Sequence, residues 1–348
     1  MPKKDELAFW NHIAPNYDEA ILHTPPPIMR EYESWEDQQL DSILSCALEK
    51  PTVFLELGCG TGRYLMRYGK LVDEDPCFND KLLAIVGLDF SEQMIRTSIR
   101  NLKLAHLEKL IGKRIFLVRA DATKPPINMK KASFNNLQKV VTIMFGTIGN
   151  IKRGRKRLLR YLSSNLLNIN GIGVISFFNR DALTAKGGGL DEYSLIPEIV
   201  GNRLEWNPDS GVVKSERKFF TEWFRYDDFA RMIEASNLEI IQKLEGPGPK
   251  IPKTSRVPLW IKVPRGYMVL AASKHFYSGQ EVKKTSEIGK TPPGSQSRVF
   301  HEMLRCPECR TDDIDIRSSE ILCQKCGARF PIRNIEGVRV PDFLNRKS

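Results

Sequence analysis

No stretch of eighteen apolar residues occurs in this 348-residue sequence, and no basic N-terminal segment leads into a short apolar run. Met1-Pro2-Lys3-Lys4-Asp5-Glu6 opens a mixed segment instead, so neither a membrane span nor a secretory signal is read. A cytoplasmic protein without membrane contact is expected. Cysteine is scarce: of seven, three stand singly and four cluster toward the C-terminus, which argues against a disulfide framework. Negative charge is in the minority, with 42 Asp and Glu against 53 Lys and Arg. The net charge of +11 suits acidic partners such as nucleic acid. Most of that excess lies ahead of residue 298, because residues 298–348 hold ten Lys or Arg and eight Asp or Glu. Apolar side chains are plentiful at 41%, enough for a packed core and too many for a disordered chain. The length suits a large α/β domain with a small second unit.

The organising stretch is Val53-Phe54-Leu55-Glu56-Leu57-Gly58-Cys59-Gly60-Thr61-Gly62. An apolar run into an acid, then glycines at alternate positions, predicts a buried strand ending in a tight loop close to a ligand. A helix from about Arg63 follows, its free N–H groups aimed at whatever the loop holds. Arg63 stands where a dinucleotide fingerprint, G-x-G-x-x-G, needs its third glycine. A glycine loop without any ligand is the plain alternative.

Two further apolar runs also end in acids. Leu82–Gly87-Leu88-Asp89 is followed by Ser91, a helix cap, with Glu92 in the first turn. An acid closing the second strand of a βαβ unit is placed to bond ribose hydroxyls. Arg114–Ala120-Asp121-Ala122 makes a third strand, and Asp121 there also suits a simple turn or cap. Val140–Phe145 through Asn150 reads as a fourth strand and its exit loop, and Gly171–Asn179 as a fifth. Leu238–Ile241 and Gly266–Ala272 read as a closing antiparallel pair. Residues 5–48 look helical and amphipathic, broken by Pro25-Pro26-Pro27. Asp73–Pro76 reads as an irregular insert, Asn207–Gly211 as a hairpin turn, and residues 246–264, with five prolines, as a rigid loop rather than an element. The polar, glycine-rich Lys186–Gly189 reads as another insert.

This order of motifs resembles that of the class I S-adenosylmethionine (SAM) methyltransferases over roughly residues 10–275. The carrying residues are Glu56, Gly58, Gly60 and Gly62, then Gly87, Asp89, Ser91 and Met94, with Ala14-Pro15-Asn16-Tyr17-Asp18 ahead of them. The resemblance implies a Rossmann-like, doubly wound α/β sheet of seven strands with the last one antiparallel. It implies SAM as methyl donor, held by Tyr17, Glu56, Gly58, Cys59, Gly60, Gly62, Asp89, Met94, Asp121, Ala122 and Met144. Within it, Asp89 takes the ribose, Asp121 the adenine amino group, and Ala122 offers its N–H to the ring. Tyr17 either covers the methionine end or is an aromatic of a lid helix.

Class I enzymes place the acceptor at the fourth-strand exit, so Phe145 and Asn150 are the acceptor-side candidates for catalysis; Phe145 also suits the core. That exit carries no Asp/Asn-Pro-Pro-aromatic tetrad, which counts against exocyclic adenine or cytosine amines and glutamine. It carries no Pro-Cys, which counts against a cysteine nucleophile on a pyrimidine ring. Next comes Lys152-Arg153-Gly154-Arg155-Lys156-Arg157-Leu158-Leu159-Arg160, six cations in nine residues at the start of a helix. Leu159, Leu162, Leu166 and Ile169 share its buried face. The cations form either a solvated face or contacts to a substrate's phosphates or carboxylates.

Residues 278–297 read as a flexible linker, dividing a domain over 1–277 from one over 298–348. Cys306-Pro307-Glu308-Cys309 and Cys323-Gln324-Lys325-Cys326 place two C-x2-C pairs thirteen residues apart. Four thiolates on two tight knuckles close one tetrahedral Zn²⁺ site, an iron centre being the alternative. The flanking Leu304-Arg305, Cys326-Gly327, Phe330-Pro331-Ile332 and Glu336-Gly337-Val338 resemble the small zinc-binding activator of methyltransferases that act on tRNA, rRNA and release factors. Phe330 and Glu336 stand where Tyr and Asp are common in that family, and an unrelated zinc ribbon is the alternative. The resemblance implies a zinc-ribbon-like module that docks on its own methyltransferase domain, and RNA or a translation factor as substrate. A small acidic metabolite is the second substrate class, and a non-catalytic SAM-binding scaffold the third reading.

Overall fold

The computed structural model describes residues 4–167, 170–185, 188–248, 250–252, 260–274 and 295–346. The chain opens with α1 (Lys4–Tyr17), a single π turn, and α2 (Pro27–Ala47), whose first residue is the last of the three prolines. Then follow β1 (Thr52–Leu57), α3 (Arg63–Glu74), α4 (Pro76–Lys81), β2 (Leu82–Asp89), α5 (Glu92–Leu104), β3 (Ile115–Arg119) and β4 (Gln138–Ile143). After β4 come α6 (Thr147–Asn150), α7 (Arg155–Tyr161) and β5 (Gly171–Phe178). An excursion of α8 (Arg180–Leu183), α9 (Gly189–Ser194), α10 (Pro197–Val200), β6 (Leu204–Asn207), β7 (Val212–Ser215) and β8 (Phe220–Glu222) precedes α11 (Tyr226–Glu234). The sheet domain closes with β9 (Leu238–Glu245), β10 (Lys250–Pro252), β11 (Trp260–Lys262) and β12 (Gly266–Ser273). The C-terminal unit is α12 (Ser295–Met303) with β13 (Ile314–Ile316), β14 (Glu320–Cys323), β15 (Arg329–Ile335) and β16 (Val338–Pro341).

The main sheet has the order β3-β2-β1-β4-β5-β12-β9, and β12 alone runs antiparallel to its neighbours. This is the doubly wound α/β sheet of seven strands, its last strand in sequence reversed. β1 and β2 are buried along their whole length because helices cover both faces, which explains apolar runs without alternation. Leu55 pairs with Val86 on one side and Val141 on the other, so β1, β2 and β4 end on one common rim. The strand order reverses at β1, and the loops after β1 and β4 diverge there to leave a crevice.

One core layer lies between α2, α3, α5 and the sheet; the opposite layer joins the sheet to α7, α11, α12 and the C-terminal unit. A third cluster, with Phe9, Ile13, Tyr193, Ile199 and Trp223, packs α1 against the excursion after β5 and makes a cap over the rim. In it Arg265, fully buried, donates from Nε to Glu192 Oε1 at 2.8 Å, and its guanidinium carbon lies 4.3 Å from the centre of the Phe178 ring.

The C-terminal unit packs on the β3 edge. Phe343 N–H donates to the Arg119 carbonyl at 2.9 Å, the Arg119 guanidinium meets buried Asp342 at 2.8 Å, and Phe300 stacks on Phe116 at 4.4 Å. The Glu336 carboxylate receives Arg96 at 2.9 Å and Arg100 at 3.0 Å from α5.

Several local expectations are corrected. Asp73–Pro76 is a helix-to-helix junction in which Asp75 caps α4 by accepting from Cys77 N–H at 2.8 Å. Within 246–264 two short strands, β10 and β11, pair antiparallel; in a two-stranded ribbon both strands are edges, where a proline such as Pro252 is tolerated. The helix α12 begins at Ser295, so the last three residues of the expected linker are helical. Ile169, Lys186-Gly187, residues 253–259 and the remaining linker residues lie outside the described residues.

Candidate active site

The loop after β1 is shaped by glycines with positive φ: +85° at Gly58, +52° at Gly60 and +86° at Gly62, a region costly for any residue with a Cβ. Gly58 and Cys59 N–H groups both donate to the Leu88 carbonyl, at 2.7 and 3.0 Å, which ties the loop to the end of β2. A Cβ on Gly58 would stand 2.6 Å from Thr147 Cγ2, so this loop and the start of α6 meet without room for a side chain. Gly62 differs from the other two. It packs α3 on α5, where a Cβ would come 2.2 Å from Ser98 Oγ, and it does not line the cavity as the resemblance implies.

Between the loop, the β2 and β3 ends and the β4 exit lies a cavity of about 200 Å³. Of the residues assigned to the cofactor, Tyr17, Glu56, Gly58, Cys59, Gly60, Asp89, Met94, Asp121, Ala122 and Met144 line it. The two acceptor-side candidates, Phe145 and Asn150, line it as well.

Asp89 is held by two backbone bonds: Gly60 N–H to Oδ2 at 3.0 Å and Ser91 N–H to Oδ1 at 2.8 Å. Burial pushes its carboxyl up to about 6, and those backbone donors oppose the rise. Asp121 accepts Thr123 N–H at 2.8 Å, a turn that fixes the carboxylate beside the cavity.

Glu56 is buried, its Oε2 has no hydrogen-bond partner, and burial holds its carboxyl well above the usual carboxylate range. Arg63, the first residue of α3, lines the cavity too. It donates to Asp37 Oδ1 at 2.6 Å and to the Glu33 carbonyl at 2.8 Å, and lies 5.8 Å from the Phe145 ring centre. Its Nη1 makes no hydrogen bond; the Glu33 and Glu36 carboxylates stand 3.6 and 3.9 Å away. Burial raises the carboxyls of Glu33 to about 8 and Glu36 to about 7, against the pull of Arg63. A buried acid and a mostly buried guanidinium therefore line one cavity, which fits the ammonium and carboxylate of an amino-acid end. With Asp89 as a hydroxyl acceptor and Asp121 and Ala122 at the next strand end, the residues present fit SAM.

At the β4 exit, Phe145 (φ +50°) and Gly146 (φ +67°) are consecutive left-handed residues. Phe145 N–H donates to Glu36 Oε1 at 3.2 Å, and a Cβ on Gly146 would meet the Phe178 ring at 2.4 Å. The strained turn is thus pinned from below by a buried acid and from above by an aromatic. Trp10 of α1 closes the roof, and α1 is tied down where Ser91 Oγ meets Asn11 Oδ1 at 2.7 Å. Lys152, Arg153 and Arg157 stand at the mouth.

Sequence reasoning does not assign Arg63, Glu36, Trp10 or Thr147 to the site. Arg63 had a local signal in its place directly after the glycine loop; the others have none, because their partners are remote in the chain.

In the C-terminal unit the sulfurs of Cys306, Cys309, Cys323 and Cys326 lie within 4.8 Å of one another. The Cys306–Cys326 and Cys309–Cys323 separations are 3.8 and 3.4 Å, around the roughly 3.8 Å that four thiolates on a tetrahedral zinc require. Each knuckle turns through a left-handed residue, Arg310 at φ +63° and Gly327 at φ +69°. The donor set and its geometry fit Zn²⁺.

No protein-family model matches the sequence, and no curated protein matches it. Solved structures do. An S-adenosylmethionine-dependent methyltransferase from Clostridium acetobutylicum is 16% identical, with a TM-score of 0.45 over 76% of this chain and 98% of its own. The CcbJ methyltransferase from Streptomyces caelestis is 16% identical, with a TM-score of 0.48 over 77% and 98%. The PH0226 protein from Pyrococcus horikoshii is 14% identical, with a TM-score of 0.47 over 74% and 99%.

Proposed function

We propose that this protein is a SAM-dependent methyltransferase acting on a nitrogen or oxygen of RNA or of a component of the translation machinery, with a Zn²⁺ held by its four clustered cysteines. The observation that carries the cofactor reading is that Glu56 and Arg63 line the same cavity as Asp89 and Asp121, with one Glu56 carboxyl oxygen left without a hydrogen-bond partner. When bound, SAM supplies a methyl group on a sulfonium that is already a good leaving group. The chain's own residues then have three tasks. Glu56 and Arg63 hold the amino-acid end, and Asp89 the ribose. Phe145, fixed by Glu36, and Asn150 border the path by which an acceptor approaches. Trp10 and Tyr17 exclude water from above. No side chain in the acceptor wall is an evident general base, which suits an acceptor that loses its proton before or on binding.

The basic mouth supports an anionic substrate, and the fused cysteine module supports a translation-related one. A small acidic metabolite is the second reading, favoured by Lys152 and Arg153 standing on the cavity itself. Incubation with tritiated SAM and fractionated cell extract separates them. Label in RNA or ribosomal protein supports the first reading, label in the small-molecule pool the second, and label in none refutes transfer.

A further inference from the structure

The six cations of residues 152–160 do not behave alike. Arg155 turns inward, pairing with Glu222 at 2.6 Å and donating to the Gly149 carbonyl at 3.3 Å. It therefore belongs neither to a solvated face nor to the substrate contacts expected of the six cations together. Arg157 donates from Nε to the Thr123 carbonyl at 3.0 Å and from Nη2 to Thr123 Oγ1 at 2.5 Å, both neutral acceptors. Lys152 lies over the Phe220 ring at 5.1 Å. Among the described residues, no carboxylate pairs with Lys152, Arg153, Lys156, Arg157 or Arg160, and all five are exposed. By contrast, Arg63, Arg67, Arg96 and Arg100 each face a carboxylate within 4.0 Å. What sets residues 152–160 apart is that five such exposed cations fall together in nine residues.

That face has a direction. Leu158, Leu159 and Tyr161 are buried, so the exposed arc of α7 is Lys156, Arg157 and Arg160, with Arg153 a turn ahead of Arg157. Lys152, Arg153 and Arg157 border the cavity, whereas Lys156 and Arg160 do not. Lys156 and Arg160 are one turn apart, about 6 Å along the helix axis. The row therefore begins at the active-site mouth and runs away from it.

A small acid bound in the cavity has no use for charges beyond its mouth, and a charged strand does. We infer that this arc carries the phosphates of a single-stranded RNA whose acceptor nucleotide enters the cavity past Arg153. The inference rests on the methyltransferase reading for the identity of the acceptor site, but the strand contact has its own measurement. Each phosphate neutralised on a single strand contributes about −0.7 to the slope of log K against log salt. Four contacts, from Arg153, Lys156, Arg157 and Arg160, give a slope of about −2.8, a fall of about 50-fold between 50 and 200 mM salt. Removing two leaves about −1.4, a fall of about sevenfold.

The test is fluorescence anisotropy of a labelled, mixed-sequence, twenty-nucleotide single-stranded RNA with the full chain and with the Lys156→Ala/Arg160→Ala double variant, from 50 to 200 mM KCl. A smaller slope and weaker binding in the variant, restored by Lys156→Arg/Arg160→Lys, supports the strand. S-adenosylhomocysteine calorimetry reports separately on the cavity, and its affinity is expected to be the same in all three proteins. Equal slopes in wild type and variant, or no RNA binding at 50 mM, overturn the strand while leaving the cofactor reading intact. A reduced slope with no S-adenosylhomocysteine binding in any protein keeps the strand and removes the cofactor reading.

Discussion

Replacing Arg63 by methionine keeps most of the stem's volume and removes one charge from a site holding Glu33, Glu36, Asp37 and Glu56. Two effects separate cleanly. For stability, the 2.6 Å bond to Asp37 and the charges that offset Glu33 and Glu36 disappear. Breaking a buried ion pair costs about 3–5 kcal/mol, and proton uptake by Glu33 and Glu36, whose carboxyls already sit near 8 and 7, relieves part of it. For binding, the guanidinium is lost to the cofactor's carboxylate. A hydrogen bond to a charged group contributes about 1.5–3 kcal/mol, which is about 10- to 150-fold in Kd. The assay is calorimetry at pH 7.5 with two ligands: S-adenosylhomocysteine, which has the amino-acid end, and methylthioadenosine, which lacks it. Arg63→Met is expected to weaken the first by that factor and leave the second within about twofold. Equal losses for both ligands, or no loss for the first, would refute the assignment of Arg63 to the carboxylate.

Other outcomes follow from the same geometry. Cofactor binding draws Glu56 toward its ionised form, so S-adenosylhomocysteine should release protons, read as a dependence of calorimetric enthalpy on buffer ionisation heat at fixed pH. Burial raises the carboxyls of Glu33 to about 8 and Glu36 to about 7 against an ordinary 4.5, so the folded state binds more protons across that window. Stability therefore falls as pH rises from about 4.5 to 8, and Tm by scanning calorimetry should decline over that range; a rise would contradict the burial of these acids. Glu192→Gln leaves Arg265 charged, fully buried and unpaired beneath the cap, and should cost about 3–5 kcal/mol in urea unfolding. Elemental analysis is expected to find one zinc per chain in the wild type and none in Cys323→Ser, and retention of stoichiometric metal by the variant would argue against the four-thiolate site.

Apolar runs ending in acids were legible because strands covered on both faces leave no other pattern, and so β1, β2 and the glycine loop fell where the residues put them. The paired cysteines were legible for a similar reason, their spacing being local. Charge partnership was not. Nothing in Lys152–Arg160 tells Arg155 from its neighbours, because what turns it inward is Glu222, which β8 brings alongside. Glu36 and Asp37 sit among several acids of α2, and only the packing of α2 beside α3 selects the two that face Arg63. The turn at Phe145 reads as core from its apolar surroundings, and its left-handed backbone is visible only once Glu36 is seen beneath it.

Phe300 on Phe116 and Phe343 on the Arg119 carbonyl have a further consequence, since both partners belong to one polypeptide. A lid on a sheet margin supplied by a separate subunit departs on dilution, and its stoichiometry depends on expression of two genes. Here the local concentration of the cover is set by the length of the intervening chain alone, so the outer strand stays shielded from stray pairing at any protein concentration.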